Sequence, residues 1–218
     1  MQNRDMNGYK FWSVGSVAVL AVAVISALYC GRASTGQPVT GSNPMSKVPS
    51  GTYVAACHQD AAITAALSAR LTYWVSTVTL NNSTDAATIL HQGFSDAACT
   101  TAELSLSLKG TYLLETRTQD ALLDLRLNSD DTELTALTDA ATTDLNTGKI
   151  CGLTFVKATS AAIADASCTQ GFIFASGHNF WGVLQPSTDS KGFTTGATFS
   201  RDANQISAQL STYEYRVK

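Results

Sequence analysis

Between Phe11 and Cys30 the chain runs through twenty residues without a charge. At about 1.5 Å per residue a helix of that length spans roughly 30 Å, the hydrocarbon thickness of a bilayer. Beyond residue 50 the pattern changes to alternation. Leu104, Leu106 and Leu108 interleave with Ser105 and Ser107, and Leu123, Leu125 and Leu127 interleave with Asp124 and Arg126. A period of two is the signature of strands with one wet face.

The same reading predicts strands over Gly51–Cys57, Thr88–Phe94 and Glu103–Lys109, the last continuing past Gly110 through Thr111–Thr116. A strand-like stretch covers Leu67–Leu80, where Leu71, Tyr73 and Val75 alternate with Thr72, Trp74 and Ser76. Asn81-Asn82-Ser83 reads as a turn. His58–Ala66 is ambiguous between a helical turn and a loop. One helix is predicted from Asp130 to Gly148, because Asp130 and Glu133 form a capping-box-like start. Leu134, Leu137, Ala141 and Leu145 follow at helical spacing.

In the second half, Leu153–Ala158, Gly171–Ser176, Phe180–Gln185 and Gln205–Val217 read as strands, and residues 187–197 as a loop. A parity switch near Ser211 implies a bulge, a common device in barrels. The pattern thus predicts a mainly β, antiparallel domain with one short helix, preceded by a single N-terminal transmembrane helix. The boundaries are a head at 1–10, an anchor at 11–30, a linker at 31–50 and a β domain at 51–218.

The flanks sharpen the anchor. Tyr9, Phe11, Trp12 and Tyr29 stand where aromatic rings favour the membrane interface. Gly15, Ala23 and Ala27 mark a small-residue helix face suited to close packing in lipid. A cleaved signal peptide and a lipoprotein signal ending at Cys30 are the competing readings, and bulky Tyr29 argues against both. The expected topology is single-pass, with a cytoplasmic N-terminus and a periplasmic or extracellular C-terminal domain. The linker, rich in Gly, Ser, Thr and Pro, buries too little apolar surface to fold alone.

Charge narrows the class of partner. The 218 residues carry a net charge of −3, with a pI near 5.5, which argues against nucleic acid. Four cysteines lie beyond the anchor: Cys57, Cys99, Cys151 and Cys168. An even number in an exported chain points to two disulfides, of three possible connectivities. Cys57–Cys99 with Cys151–Cys168 is preferred because it keeps each half separate. No metal site is expected, since no C-x₂-C pair is present and His58, His91 and His178 lack ligand spacing. Each histidine reads as a surface residue.

Catalytic motifs are absent as well: no nucleophile elbow, P-loop or dinucleotide fingerprint occurs. The acidic run Asn128–Glu133 lacks the spacing of a calcium loop, and helix capping explains it better. Asn81–Thr84 contains overlapping N-x-S/T sequences that also fit a hairpin turn. Phe172, Phe174, Phe180 and Trp181 would form core, an apolar pocket or an interface.

Several residues together resemble a known family. Gly51-Thr52-Tyr53 with Cys57, Phe94-Ser95-Asp96-Ala97-Ala98-Cys99 and Gly110-Thr111-Tyr112 are similar to a pattern of exported lipocalin-like proteins of the adenomatous polyposis coli down-regulated type. Asn146, Cys151-Gly152, Cys168 and Tyr213-Glu214-Tyr215-Arg216 resemble the bacterial versions. The resemblance implies a barrel or half-barrel with Cys57 paired to Cys99, and in some relatives a cavity that takes a lipid chain. It carries over no ligand contacts.

Two functions are therefore expected, neither enzymatic and neither needing a cofactor. One is an accessory subunit whose helix and β domain contact other membrane protein subunits. The alternative is a tethered barrel that binds a lipid or small apolar ligand.

Overall fold

A computed structural model describes residues 48–117, 121–164, 175–197, 199–202, 204 and 208–218. The expected anchor, with Tyr9, Trp12, Gly15, Ala23, Ala27 and Tyr29, lies outside the described residues, as do Cys168, Phe172 and Phe174. Among the described residues no helix is long and apolar enough to cross a membrane.

The domain is a closed antiparallel barrel. Its strands are β1 (Gly51–Gln59), β2 (Tyr73–Asn81), β3 (Ala86–Phe94), β4 (Leu104–Thr116), β5 (Leu123–Ala136), β7 (His178–Pro186), β8 (Gly192–Thr195) and β9 (Tyr215–Val217). Each pairs with the next in that order, and β9 returns to β1. The short β6 (Ser160–Ala162) pairs with the far end of β5. Closure removes the open strand edges that an unfinished sheet would expose.

The alternation dictates which side chains fill the interior. In β4, Leu104, Leu106 and Leu108 are buried and the intervening serines are not. In β2 the inward set is Trp74, Ser76, Val78 and Leu80, so Tyr73 and Val75 lie on the wetter face. Trp74 dominates this choice, because burying its large ring gains more than burying Tyr73 or Val75 would. Its ring packs against Gly93, where an added Cβ would lie 2.8 Å from it.

Four sequence expectations are corrected. Asp130 starts no helix: β5 runs from Leu123 to Ala136, and α2 spans Asp139–Thr147 with Thr138 as its N-cap. The parity of buried residues changes from Leu127 and Ser129 to Thr132 and Leu134 because Asp130 is an extra residue opposite Lys109 and Gly110. That is a β-bulge. The stretch 187–197 is not wholly loop, since it contains β8. Leu153–Ala158 is loop, with Phe155 anchored by two hydrogen bonds to Asn146. Among the described residues of Gln205–Val217 the one named strand is β9, at its end.

His58–Ala66 resolves into the close of β1 and the start of α1 (Ala61–Leu67). Asp60 caps α1, its Oδ1 accepting from the Ala62 and Ile63 amides at 3.0 and 2.9 Å. Val48, placed by sequence in the linker, is buried in the core, and the Pro49 carbonyl accepts from Tyr53 Oη at 2.6 Å.

Candidate functional site: the barrel interior

A cavity of about 160 Å³ lies inside the barrel, beneath α1. Its wall is apolar over most of its extent, with Val78, Ile89, Leu114, Leu127, Leu184 and Phe199 among the lining residues. Inward positions of β2 to β5, β7 and β8 supply most of it, and Ala62 and Ile63 of α1 cover it. Small residues keep the space open. Ala87 stands at an inward position of β3 where a larger side chain would project into it.

A polar group interrupts this wall. Tyr213 Oη donates to Asp60 Oδ2 at 2.9 Å, joining two residues far apart in the chain. Tyr215 lies next to Tyr213 and Ser76. Ser76 Oγ meets His91 Nδ1 at 2.7 Å across the direct β2–β3 pair. His58 stacks on Tyr213 at 3.7 Å between ring centroids, and its Nδ1 bonds the Ala56 carbonyl at 2.8 Å. Its Nε2 is buried without a hydrogen-bond partner.

The electrostatics follow from burial. His91 is pushed down to about 4, because the apolar interior penalises its charged form more than the Asp60 carboxylate favours it. Burial also lowers His58, against the opposing pull of the Ala56 carbonyl and Asp60. The Tyr213 and Tyr215 hydroxyls are pushed up, first by burial and then by neighbouring groups that include Asp60. At neutral pH both interior histidines and both tyrosines are therefore uncharged. Among the described residues Asp60 forms no ion pair.

A second polar group ties the α1–β2 loop, the β3–β4 loop and α2 together. Arg70 Nη1 donates to Glu103 Oε2 at 2.7 Å, and Arg70 Nε donates to Asp144 Oδ2 at 2.9 Å. Ser95 and Thr138 also donate to Glu103, and Ser68 to Asp144. Burial would raise Glu103, but the bonds from Ser95 and Arg70 outweigh it and hold its carboxyl below the usual range. Both Glu103 oxygens and Asp144 Oδ2 accept bonds here, while Arg70 Nη2 is buried without a partner among the described residues, so this group reads as a clasp.

Of the residues expected from sequence, Cys57 and Cys99 form a disulfide, with a Cα–Cα distance of 5.9 Å. Cys151 is also disulfide-bonded. Phe180 is fully buried core, and Trp181 is half-buried. The surface reading of His91 is overturned, since it is an interior residue. His58 is partly buried against Tyr213. The acidic run 128–133 lies in β5 and caps nothing, and among the described residues no cluster suits a metal ion.

Sequence reasoning missed Asp60, Ser76, Tyr213 and Tyr215. One signal was available: once Trp74, Val78 and Leu80 are set inward, the period of two forces Ser76 inward as well. No family model matches this chain, and no curated protein matches it.

Proposed function

We propose that the β domain binds one small, largely apolar molecule in the barrel interior. The observation that carries this reading is the cavity of about 160 Å³, apolar over most of its wall and polar at Asp60, Tyr213 and His91. A cavity of similar size in an otherwise packed protein admits benzene. The occupant is thus a compact ring or short branched chain, too small to be a whole fatty acid. Convergent polar groups in an apolar pocket are the usual marks of a binding site.

Three further points support binding over catalysis. His91 and Ser76 face each other inside the barrel, but they resemble a satisfied polar pair. The other neutral groups form a chain of mutual contacts. The lone carboxylate caps a helix. The accessory-subunit reading rests on residues 11–30, outside the described residues, and remains compatible with a tethered binding domain.

The test is native mass spectrometry of the full chain after gentle extraction, followed by thermal unfolding with toluene at saturation. The expected outcome is an adduct mass on the isolated protein, or a melting temperature raised by a few degrees with toluene. An unadducted protein whose melting temperature ignores toluene would sink the reading.

A further inference from the structure

We propose that the interior site selects a small primary amine, held as its ammonium by Asp60 with its apolar body in the cavity, and that it excludes carboxylates. This rests on the binding reading above and specifies its ligand.

The argument begins with charge. Among the described residues that line the cavity, Asp60 is the one with a formal charge, and none is Lys or Arg. A part-buried carboxylate without a counter-ion is costly, and proteins ordinarily pair such groups. Among the described residues Asp60 has only neutral donors: two α1 amides on Oδ1 and the Tyr213 hydroxyl on Oδ2. A carboxylate offers about four acceptor positions over its two oxygens. Three are used, and the fourth, on Oδ2, is on the oxygen that faces Tyr213 rather than the helix.

The neighbours sharpen the preference. His58 and His91 both feel the Asp60 charge, yet burial keeps each from gaining a proton. Among the described residues, the α1 amides and the Tyr213 hydroxyl bond Asp60, but no side chain brings it a positive charge. A ligand ammonium would supply the missing positive charge and a charge-assisted hydrogen bond, about twice as strong as its neutral counterpart. An alcohol of the same shape would also donate to the carboxylate but would leave its charge uncompensated. A carboxylate would set a second negative charge beside the first, with no cation lining the wall to receive it. Fatty acids are thus excluded by charge as well as by size.

Three probes share one apolar body and differ only at the head: cyclohexylmethylamine, cyclohexylmethanol and cyclohexanecarboxylate. Their binding to the full chain is measured by isothermal titration at pH 7. The amine is expected to bind about tenfold tighter than the alcohol, and the carboxylate not at all. Asp60→Asn keeps an oxygen to cap α1, since Asn is as good an N-cap as Asp. That variant should remove the amine's advantage over the alcohol.

A carboxylate that binds as tightly as the amine overturns the charge selection while leaving the binding reading intact. So does an Asp60→Asn protein that still prefers the amine. If neither the amine nor the alcohol binds the wild-type chain, the binding reading fails with it. The wild-type series decides the matter even if the variant folds poorly.

Discussion

His91 shows how a single side chain can make the barrel sensitive to acid. It faces Ser76 inside the sheet, and burial lowers its proton affinity from the ordinary histidine value to about 4. The unfolded chain binds a proton near pH 6.5, whereas the folded chain resists it until about pH 4. Between those values the unfolded state holds more protons, so stability present at pH 7 is lost as the pH falls. His58 shifts in the same direction and adds to the slope. Glu103, whose folded value is lowered, acts only nearer the carboxylate range. From pH 7 to pH 5 the wild-type protein should therefore lose about 2 kcal/mol through His91 alone. His91→Gln, which keeps a partner for Ser76, should lose markedly less over the same range. Urea unfolding at both pH values measures this, and equal losses in the two proteins would refute it.

The elements show a conflict between local and long-range signals at β5. Asp130 and Glu133 look like a helix start, and in a peptide they would favour one. In the folded chain Leu127, Thr132, Leu134 and Ala136 instead bury against the barrel core, and β4 pairs with β5 along its length. Tertiary pairing overrides the cap, and the bulge at Asp130 absorbs the change of face. The strict alternation of Leu104, Leu106 and Leu108 left no such ambiguity, so β4 was legible from sequence. β8 was not, because a four-residue strand of Gly, Phe and Thr carries too few positions to show a period, and β9 is the end of the longer strand expected over Gln205–Val217. At the polar site Ser76 was missed and His91 was read as a surface residue, although the inward set of β2 and the pairing of Ser76 with His91 point both inward. The Asp60–Tyr213 bond joins residues 153 apart, and only closure of the barrel brings them together. The bulge also has a consequence at Gly110. A Cβ there would sit 1.9 Å from the Asn128 carbonyl oxygen, a backbone atom with nowhere to go. Gly110→Ala should therefore cost about 2–4 kcal/mol, well above the usual cost of a surface change. A urea midpoint within error of wild type would show that β4 and β5 separate easily here.

At the scale of the whole molecule, the barrel is braced from outside its interior. The Cys57–Cys99 bond ties the end of β1 to the β3–β4 loop across 42 residues. Arg70, Glu103 and Asp144 clasp the loops and α2 at the covered end. The core meanwhile includes Trp74, Tyr53, Phe180 and Phe193, all nearly inaccessible. These supports let the protein keep a cavity that packing alone would tend to close, since unfilled volume forfeits dispersion contacts. A cavity maintained for a ligand and a cavity left by imperfect packing respond differently to being filled. Ala87 lines the space from β3 and is 3% exposed, so a larger side chain there must enter the cavity. Ala87→Leu adds three carbons, worth about 0.8 kcal/mol each when buried, against about 1–3 kcal/mol of packing strain. The two nearly cancel, so the melting temperature should move by only a few degrees. Binding of cyclohexylmethylamine should fall more than tenfold, because the leucine occupies the space its ring needs. Thermal unfolding and isothermal titration on the same preparation separate the two effects. If the ligand still binds with unchanged affinity, it sits elsewhere on the molecule. If the variant is destabilised by several kcal/mol, the space beneath α1 is too constrained to admit a ligand ring.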